Sequence, residues 1–188
     1  GDYEIEQSLR FNDDDGSYLS RTPSSAGNRK TWTFSAWVKL GNQGTNRSLF
    51  EPYDNATFGG VQLRSGNIIQ MNNRVGSTNY FLIPTQVLRD ASAWYHLIFT
   101  IDTTQATASD RANIYINGEQ VTSFSTETYP TLNADVNLNG AFVHSIGRFW
   151  ESSYESPFDG YLAEVNFIDG QALTPDSFGE TGTYGEWK

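Results

Sequence analysis

The feature that most constrains how this chain folds is the alternation of apolar and polar residues along extended segments. Segment 32–40 carries apolar side chains at every second position, and segments 94–102 and 161–168 repeat the pattern. Successive side chains of a strand point to opposite faces, whereas a helix repeats every 3.6 residues. The residues predicted to face inward are Trp32, Phe34, Ala36, Val38 and Leu40, then Tyr95, Leu97, Phe99 and Ile101, then Tyr161, Ala163, Val165 and Phe167. The chain is therefore predicted to consist of strands that each bury one face.

Turn dipeptides separate these segments. Asn, Asp and Gly tolerate positive backbone φ angles, so pairs such as Asn117-Gly118 and Asp159-Gly160 indicate tight turns. Segment 112–124, centred on Asn117-Gly118, is predicted to be a hairpin. The single helical signal is 173–178, with Thr174 as N-cap and Pro175 at the first helical position. The fold class is therefore all-β, an antiparallel two-sheet jelly-roll sandwich with at most short helical turns.

Length and composition predict one domain over residues 1–188. The chain has 188 residues with five Trp, twelve Phe and ten Tyr, enough apolar material for one core. It begins at Gly1, its only methionine is Met71, and it stops at Lys188 without a linker-like composition. We expect it to be a piece of a larger protein.

The charge balance argues against several classes of partner. The chain has 12 Lys and Arg and 22 Asp and Glu, which gives a formal net charge of −10. The basic surface that a phosphate backbone needs is therefore missing, and no nucleic-acid partner is expected. No apolar run is long enough to cross a bilayer, so no membrane insertion is expected. Without cysteine there are no disulfides, thiol nucleophiles or thiolate metal sites.

Several motifs, in their order along the chain, resemble the laminin G-like branch of the concanavalin A-like lectin and glucanase folds. The resemblance runs through Ser8-Leu9-Arg10-Phe11-Asn12, Thr33-Phe34-Ser35-Ala36-Trp37-Val38-Lys39, Trp94-Tyr95-His96, Tyr115-Ile116-Asn117-Gly118, Ser145-Ile146-Gly147 and Phe158-Asp159-Gly160-Tyr161-Leu162-Ala163-Glu164. The stretch 166–180 resembles the version found in virion structural proteins of marine bacteriophages.

The resemblance implies a lectin-like binding or decoration domain on the surface of a phage virion. Its implied partners are a glycan or host cell surface and other virion subunits. A purely structural virion assembly module is the alternative, in which the aromatic loops pack against neighbouring subunits. A fold alone does not name a ligand, since one fold serves many functions.

Catalysis is not expected from the carboxylates of this chain. Related glucanases use two closely spaced carboxylates on a central strand, and retaining hydrolysis needs them about 5 Å apart. The comparable string here, Asp2-Tyr3-Glu4-Ile5-Glu6, lies at the N-terminal end. His96 lies in an alternating strand and is predicted to be a hydrogen-bonded structural residue. The chain is therefore predicted to be non-enzymatic, with a glycoside hydrolase as the least favoured function.

Calcium is the one cofactor that the acidic turns suggest. The turn Asn12-Asp13-Asp14-Asp15-Gly16 concentrates carboxylates, which hard cations prefer. Asp13 and Asp15 are the candidate ligands there, and Asp159 is a third because related folds sometimes tie a late strand to an early loop through an ion. Two interpretations stay open, a calcium site and an acidic turn exposed to water.

Two clusters are candidate glycan-binding sites, because sugars need aromatic platforms beside polar donors and acceptors. The first is a loop with Arg148, Phe149, Trp150 and Tyr154, which lacks strand alternation and is expected to be an exposed rim. The second follows Asn72 and comprises Asn73, Arg74 and Tyr80. For both clusters, packing under long loops or against a neighbouring subunit is the alternative.

Overall fold

A computed structural model describes residues 5–42, 44–53, 59–151 and 154–188, with the backbone alone for residues 53, 150–151 and 154–155. The strands are β1 (Leu9–Phe11), β2 (Leu19–Arg21), β3 (Thr31–Leu40), β4 (Arg47–Tyr53), β5 (Gly60–Arg64), β6 (Ile68–Val75), β7 (Thr78–Pro84), β8 (Trp94–Asp102), β9 (Ala112–Ile116), β10 (Glu119–Gln120), β11 (Phe124–Glu127), β12 (Val143–Ile146), β13 (Trp150–Glu151), β14 (Tyr154–Glu155) and β15 (Gly160–Asp169). Two 3₁₀ turns, Ala108–Asp110 and Pro175–Ser177, are the helical elements of the described residues. Neither turn is long or apolar enough to cross a membrane.

The strands form two antiparallel sheets that pack face to face. One sheet has six strands in the order β1-β15-β3-β8-β9-β10, and the other has seven in the order β11-β7-β6-β5-β4-β12-β2. Strands β13 and β14 pair with each other in a separate ribbon. The predicted fold class is confirmed.

The core lies between the sheets, where β3 and β8 contribute most of its large side chains. Trp32, Phe34 and Phe99 are fully buried, and Phe34 stacks on Phe50 of the opposite sheet with 5.1 Å between ring centroids. These contacts confirm the inward faces predicted for segments 32–40 and 94–102. Burying each large aromatic stabilises the fold by roughly 1.5–3 kcal/mol.

The face predicted for segment 161–168 is wrong in its first half. Leu162 pairs with the inward-facing Val38, so Tyr161 and Ala163 point outward, and Tyr161 is exposed. The register then shifts after Ala163, where Glu164 adopts a φ of +49°. This bulge returns Phe167 to the inner face, opposite Phe34, because one extra residue reverses the alternation.

The predicted hairpin and the predicted helical turn are both present. Asn117 and Gly118 have φ angles of 50° and 82°, as a two-residue turn between β9 and β10 requires. The helical turn is Pro175–Ser177, with Thr174 extended before it, although the Thr174 side chain makes no capping hydrogen bond.

The C-terminal segment covers the outer face of the six-stranded sheet. Leu173 donates its backbone N–H to Thr33 Oγ1, and Thr33 Oγ1 donates to the Gln171 carbonyl, both at 2.8 Å. Further on, Trp187 lies against Gly118, where a Cβ atom would come within 2.3 Å of the indole ring. The chain itself therefore covers the part of this face around Thr33 and Gly118.

Candidate functional site: a cleft on the seven-stranded sheet

The outer face of the seven-stranded sheet carries a polar surface built by strand alternation. Gln62 of β5 pairs with Gln70 of β6, and Asn72 pairs with Phe81 of β7. Directly opposed residues share a face of the sheet, so these side chains point away from the core. Arg74 and its partner Asn79 extend the same surface toward the end of β6.

The segment that carries the β13–β14 ribbon forms one wall over this surface. Ser48 donates its N–H to the Ser156 carbonyl at 3.0 Å, and Ser156 donates its own to the Phe149 carbonyl at 3.1 Å. Gly147 donates its backbone N–H to the Leu49 carbonyl, also at 3.1 Å. These bonds place Phe149 and Ser156 beside the polar strand residues.

The resulting cleft has a volume of about 420 Å³. Its described lining residues are Asn46, Glu51, Gln62, Arg64, Gln70, Asn72, Arg74, Asn79, Phe81, Phe149 and Ser156. A cleft of this size is within the range of small-molecule sites. Gly60 of β5 lies close against β4 beside this cleft, where a Cβ would approach the Phe50 carbonyl oxygen to 2.4 Å and the Glu51 Cγ to 2.9 Å.

Two buried polar atoms of the cleft have no hydrogen-bond partner within the described ranges. They are Asn72 Oδ1 and Ser156 Oγ. An unsatisfied buried polar group costs about 1–3 kcal/mol, and a water or a ligand hydroxyl can supply the missing bond. The cleft therefore offers hydrogen-bonding positions that the described protein groups leave unused.

Glu51 is a buried carboxyl group on the same surface, only 4% exposed. Burial raises its pKa to about 8, although a 3.3 Å hydrogen bond from Ser48 Oγ acts in the opposite direction. Glu51 is therefore protonated at neutral pH. The charges on the described cleft lining are then those of Arg64 and Arg74.

The structure brings together part of the two clusters predicted from sequence. Arg74 and Phe149, from different clusters, line the same cleft. Phe149 is 7% exposed, so its position is the wall of the cleft and not a freely exposed rim.

Asn73 and Tyr80 do not belong to this surface. Asn73 is 3% exposed and alternates with Asn72 and Arg74, so its side chain points to the opposite side of β6. Tyr80 pairs with Asn73 and shares that side. The prediction grouped neighbours in sequence, but the period of two separates them.

The rest of the predicted rim lies elsewhere or outside the described atoms. The Arg148 guanidinium lies over the ring of Tyr18, the residue before β2, 4.6 Å from its centroid. The side chains of Trp150 and Tyr154 lie outside the described residues, and their role stays a prediction. Four cleft residues were not predicted from the sequence, although alternate polar positions in 62–64 and 70–74 carry a signal for this surface: Glu51, Gln62, Gln70 and Phe81.

The three carboxylates predicted for calcium are held by protein groups. Asp159 accepts from Arg10 Nη1 and from the Asn42 amide, and Asp13 accepts from Asn42 Nδ2 at 3.2 Å. Burial of Asp159 favours its neutral form, but these bonds outweigh it and hold its pKa below the usual range. Asp15 accepts from the backbone of Ser17 at 3.2 Å.

No set of three His, Cys, Asp or Glu side chains placed to hold a metal ion occurs in the described part of the chain. The calcium site at Asp13, Asp15 and Asp159 stays a prediction. A rise in melting temperature on adding millimolar calcium, reversed by chelator, would support it.

His96 is the structural residue that the sequence predicts. Its Nε2 lies 2.8 Å from Ser35 Oγ, and its Nδ1 accepts from Trp187 Nε1 at 2.7 Å. Burial lowers its pKa to about 4, so the ring stays neutral at physiological pH. Of the N-terminal acidic string, Asp2 and Glu4 lie outside the described residues.

A family model, Laminin G 3, matches residues 13–177 and is described as the concanavalin A-like lectin/glucanases superfamily. The chain belongs to this superfamily. Among curated proteins, none matches the chain.

Solved structures show the same fold at low sequence identity. A heptameric SAP-like pentraxin from Limulus polyphemus is 14% identical with a TM-score of 0.60, covering 92% of this chain and 80% of its own. The CBM40 of a Ruminococcus gnavus IT-sialidase, bound to α2,3-sialyllactose, is 14% identical with a TM-score of 0.57, covering 85% and 95%. Domain 4 of an extracellular arabinanase from Geobacillus stearothermophilus, in complex with arabinotriose, is 21% identical with a TM-score of 0.53, covering 80% and 65%. These neighbours are mainly binding domains.

Proposed function

We propose that this domain binds a glycan in the cleft on the outer face of the seven-stranded sheet. The observation that carries the proposal is the composition of the cleft. The apolar rings of Phe81 and Phe149 lie beside amide and guanidinium groups, and two buried polar atoms lack partners among the described residues. Sugar rings present apolar faces and hydroxyl rims, which match such a surface.

Two of the structural neighbours support this proposal. The CBM40 is described with sialyllactose and the arabinanase domain with arabinotriose, so this sandwich holds oligosaccharides in other proteins. Binding without hydrolysis is part of the proposal. Hydrolysis uses two carboxyl groups, and Glu51 is the single one on the described lining of the cleft.

A glycan array with a cleft variant and a matched control tests the proposal. The cleft variant is Gln62→Ala with Gln70→Ala, which removes two facing amides from the half-buried strand surface. The control is Gln86→Ala with Gln120→Ala, two exposed glutamines outside the cleft. We expect the cleft variant to lose about tenfold or more in glycan affinity and the control to bind as the wild type does. Equal loss in both variants, or none in either, would overturn the proposed site.

We further propose that the domain decorates the surface of a phage virion and meets a host glycan there. The resemblance of stretch 166–180 to marine phage virion proteins supports this context. Mass spectrometry of purified particles from a phage that encodes the chain tests it. The chain is expected among the virion proteins, and its absence from intact particles would overturn the proposal.

A structural assembly module is the second candidate function, favoured by one apolar groove. Leu9 and Leu19 are 55% and 48% exposed, and both line this groove between β1 and β2, the terminal strands of the two sheets. Open strand edges with apolar side chains favour association. If this function holds, sedimentation should show a wild-type oligomer that Leu9→Glu with Leu19→Glu converts to a monomer. A wild-type monomer at high concentration argues against self-assembly through this edge.

A further inference from the structure

We infer that the cleft selects acidic glycans, sugars that carry a carboxylate or a sulfate group. This inference rests on the proposed function and adds the ligand class. The charged side chains on the described lining of the cleft are two arginines and the protonated Glu51, so this lining is positive within a chain whose formal net charge is −10. A local positive site in an acidic protein would attract an anion toward that site and not to the surface as a whole.

The two cleft arginines share one face of the sheet. Arg64 lies in line with Gln62 on β5, and Arg74 lies in line with Asn72 on β6. Arg74 donates its Nε–H to the Gly76 carbonyl at 3.0 Å, which fixes the plane of its guanidinium. A guanidinium presents a planar pair of N–H groups that matches the oxygen pair of a carboxylate or a sulfate.

Glu51 strengthens the preference for acidic glycans, although an ionised carboxylate at this position would oppose it. Its carboxyl group accepts from Ser48 on Oε1, and burial keeps it protonated at neutral pH. A neutral carboxylic acid donates a hydrogen bond and carries no charge that would repel an anion. The buried Asn72 and Ser156 oxygens beside it suit the sugar hydroxyls.

The groups packed around Glu51 add no opposing charge in the described residues. Gly60 lies beside it on β5, Ser145 is its cross-strand partner on β12, and Ser156 lines the cleft from the ribbon segment. His144 neighbours Ser145 but contacts Phe50 from the inner side, with 5.6 Å between ring centroids. Among the described residues, Arg64 and Arg74 are the charged groups that line this surface together with Glu51.

Paired glycans that differ in one acidic group test the inference by titration calorimetry. One pair is a sulfated oligosaccharide and its unsulfated form, and the second is a uronic-acid or sialylated oligosaccharide and its neutral form. We expect the wild type to bind one acidic member or both at least tenfold tighter than the neutral partner. The two pairs distinguish sulfate from carboxylate as the source of the charge.

The matched variants are Arg64→Gln with Arg74→Gln in the cleft and Arg89→Gln on an exposed loop elsewhere. The cleft variant should lose the preference for the acidic member while keeping its affinity for the neutral one, and Arg89→Gln should change neither. If the double variant melts well below the wild type, Arg64→Gln alone replaces it, since Arg64 is exposed at the cleft mouth.

Equal wild-type affinity for the members of both pairs would overturn the inference and leave glycan binding in place. Absence of binding to any glycan would overturn the proposed function instead. Retention of the acidic preference by the arginine variant would also overturn the inference.

A pH series gives a second, independent measurement. Affinity for the acidic glycan should fall between pH 7 and pH 9 as Glu51 loses its proton, and Glu51→Gln should keep its affinity over that range. The neutral glycan should bind with little change across the same pH range. An identical fall in the Glu51→Gln variant would show that Glu51 does not face the bound anion.

Discussion

Each outer face of the sandwich contains one buried titratable side chain, which is covered by the C-terminal segment on one face and lies in an open cleft on the other. On the six-stranded sheet, the buried His96 contacts the indoles of Trp37 and Trp187, with 4.8 Å and 5.9 Å between ring centroids. On the seven-stranded sheet, the buried Glu51 lies in an open cleft. Both groups stay neutral at pH 7, because burial disfavours their charged forms.

The two faces differ in whether their buried polar groups have hydrogen-bond partners. Both nitrogens of His96 are engaged, by Ser35 and by Trp187. Near Glu51, Asn72 Oδ1 and Ser156 Oγ have no partner among the described groups. Buried polar groups in folded proteins are nearly always satisfied, so clustered exceptions point to a ligand or water site. The covered face is therefore structural, and the open face is the functional candidate.

Trp37→Ala should give the largest effect, a loss of folding stability from packing on the covered face of the six-stranded sheet. Trp37 is buried and stacked on His96, and removing a large buried aromatic costs about 3–5 kcal/mol. Urea unfolding measures the loss. Glycan affinity, measured where the variant is still folded, should match the wild type. A binding defect without a stability defect would reverse the roles assigned to the two faces.

Glu51→Gln should stabilise the protein at high pH, which is an unusual effect for a buried substitution. The pKa of Glu51 is about 8 when folded and near 4.5 when unfolded, so the unfolded chain releases the proton first as pH rises. The contribution of Glu51 to wild-type stability should therefore fall by a few kcal/mol between about pH 4.5 and pH 8. Glutamine mimics the protonated carboxyl group and removes this loss. Parallel pH profiles for the two proteins would contradict the burial of Glu51.

His96 should give the opposite slope on the acidic side. Its folded pKa of about 4 lies below the unfolded value of 6.5, so protonation favours the unfolded chain. The contribution of His96 to stability should fall by about 3 kcal/mol as the pH drops from 6.5 to 4. His96→Gln should flatten this part of the profile. NMR titration of the His96 ring checks the assignment, and a folded pKa near 6.5 would contradict it.

Trp187→Ala and Phe81→Ala compare one class of substitution on the two faces. Trp187 is half-buried and bonded to His96, so its loss should cost about 2 kcal/mol with glycan binding unchanged. Phe81 lines the open cleft, so its loss should cost about 1 kcal/mol of stability but about tenfold in glycan affinity. Thermal melts and calorimetry on both variants measure the contrast. Equal binding losses would remove the distinction between the faces.

The fold could be predicted from sequence because strand alternation and turn residues are local signals. The inward faces of β3 and β8 and the Asn117-Gly118 turn are examples that the structure confirms. The face of β15 was wrong at Tyr161 because the bulge at Glu164 depends on pairing with β3, which no local pattern records. Bulges depend on the partner strand.

The cleft was harder to predict because it joins residues distant in sequence. Arg74 and Phe149 meet only because Ser48 and Leu49 hold the 147–156 segment over the sheet. Trp187 of the C-terminal segment likewise lies against His96, 91 residues away in sequence. Such contacts follow from tertiary packing, not from residue type.

Chemical-shift mapping with a bound glycan tests directly whether the glycan binds in the cleft on the seven-stranded sheet. Backbone amide shifts of the protein would be followed as the tightest-binding array glycan is added. Binding in the cleft should shift amide resonances on β4 to β7 and in segment 147–156, with little change in segment 171–188 over the six-stranded sheet. Shifts confined to the C-terminal segment and its sheet, with none around Asn72 and Phe149, would contradict it.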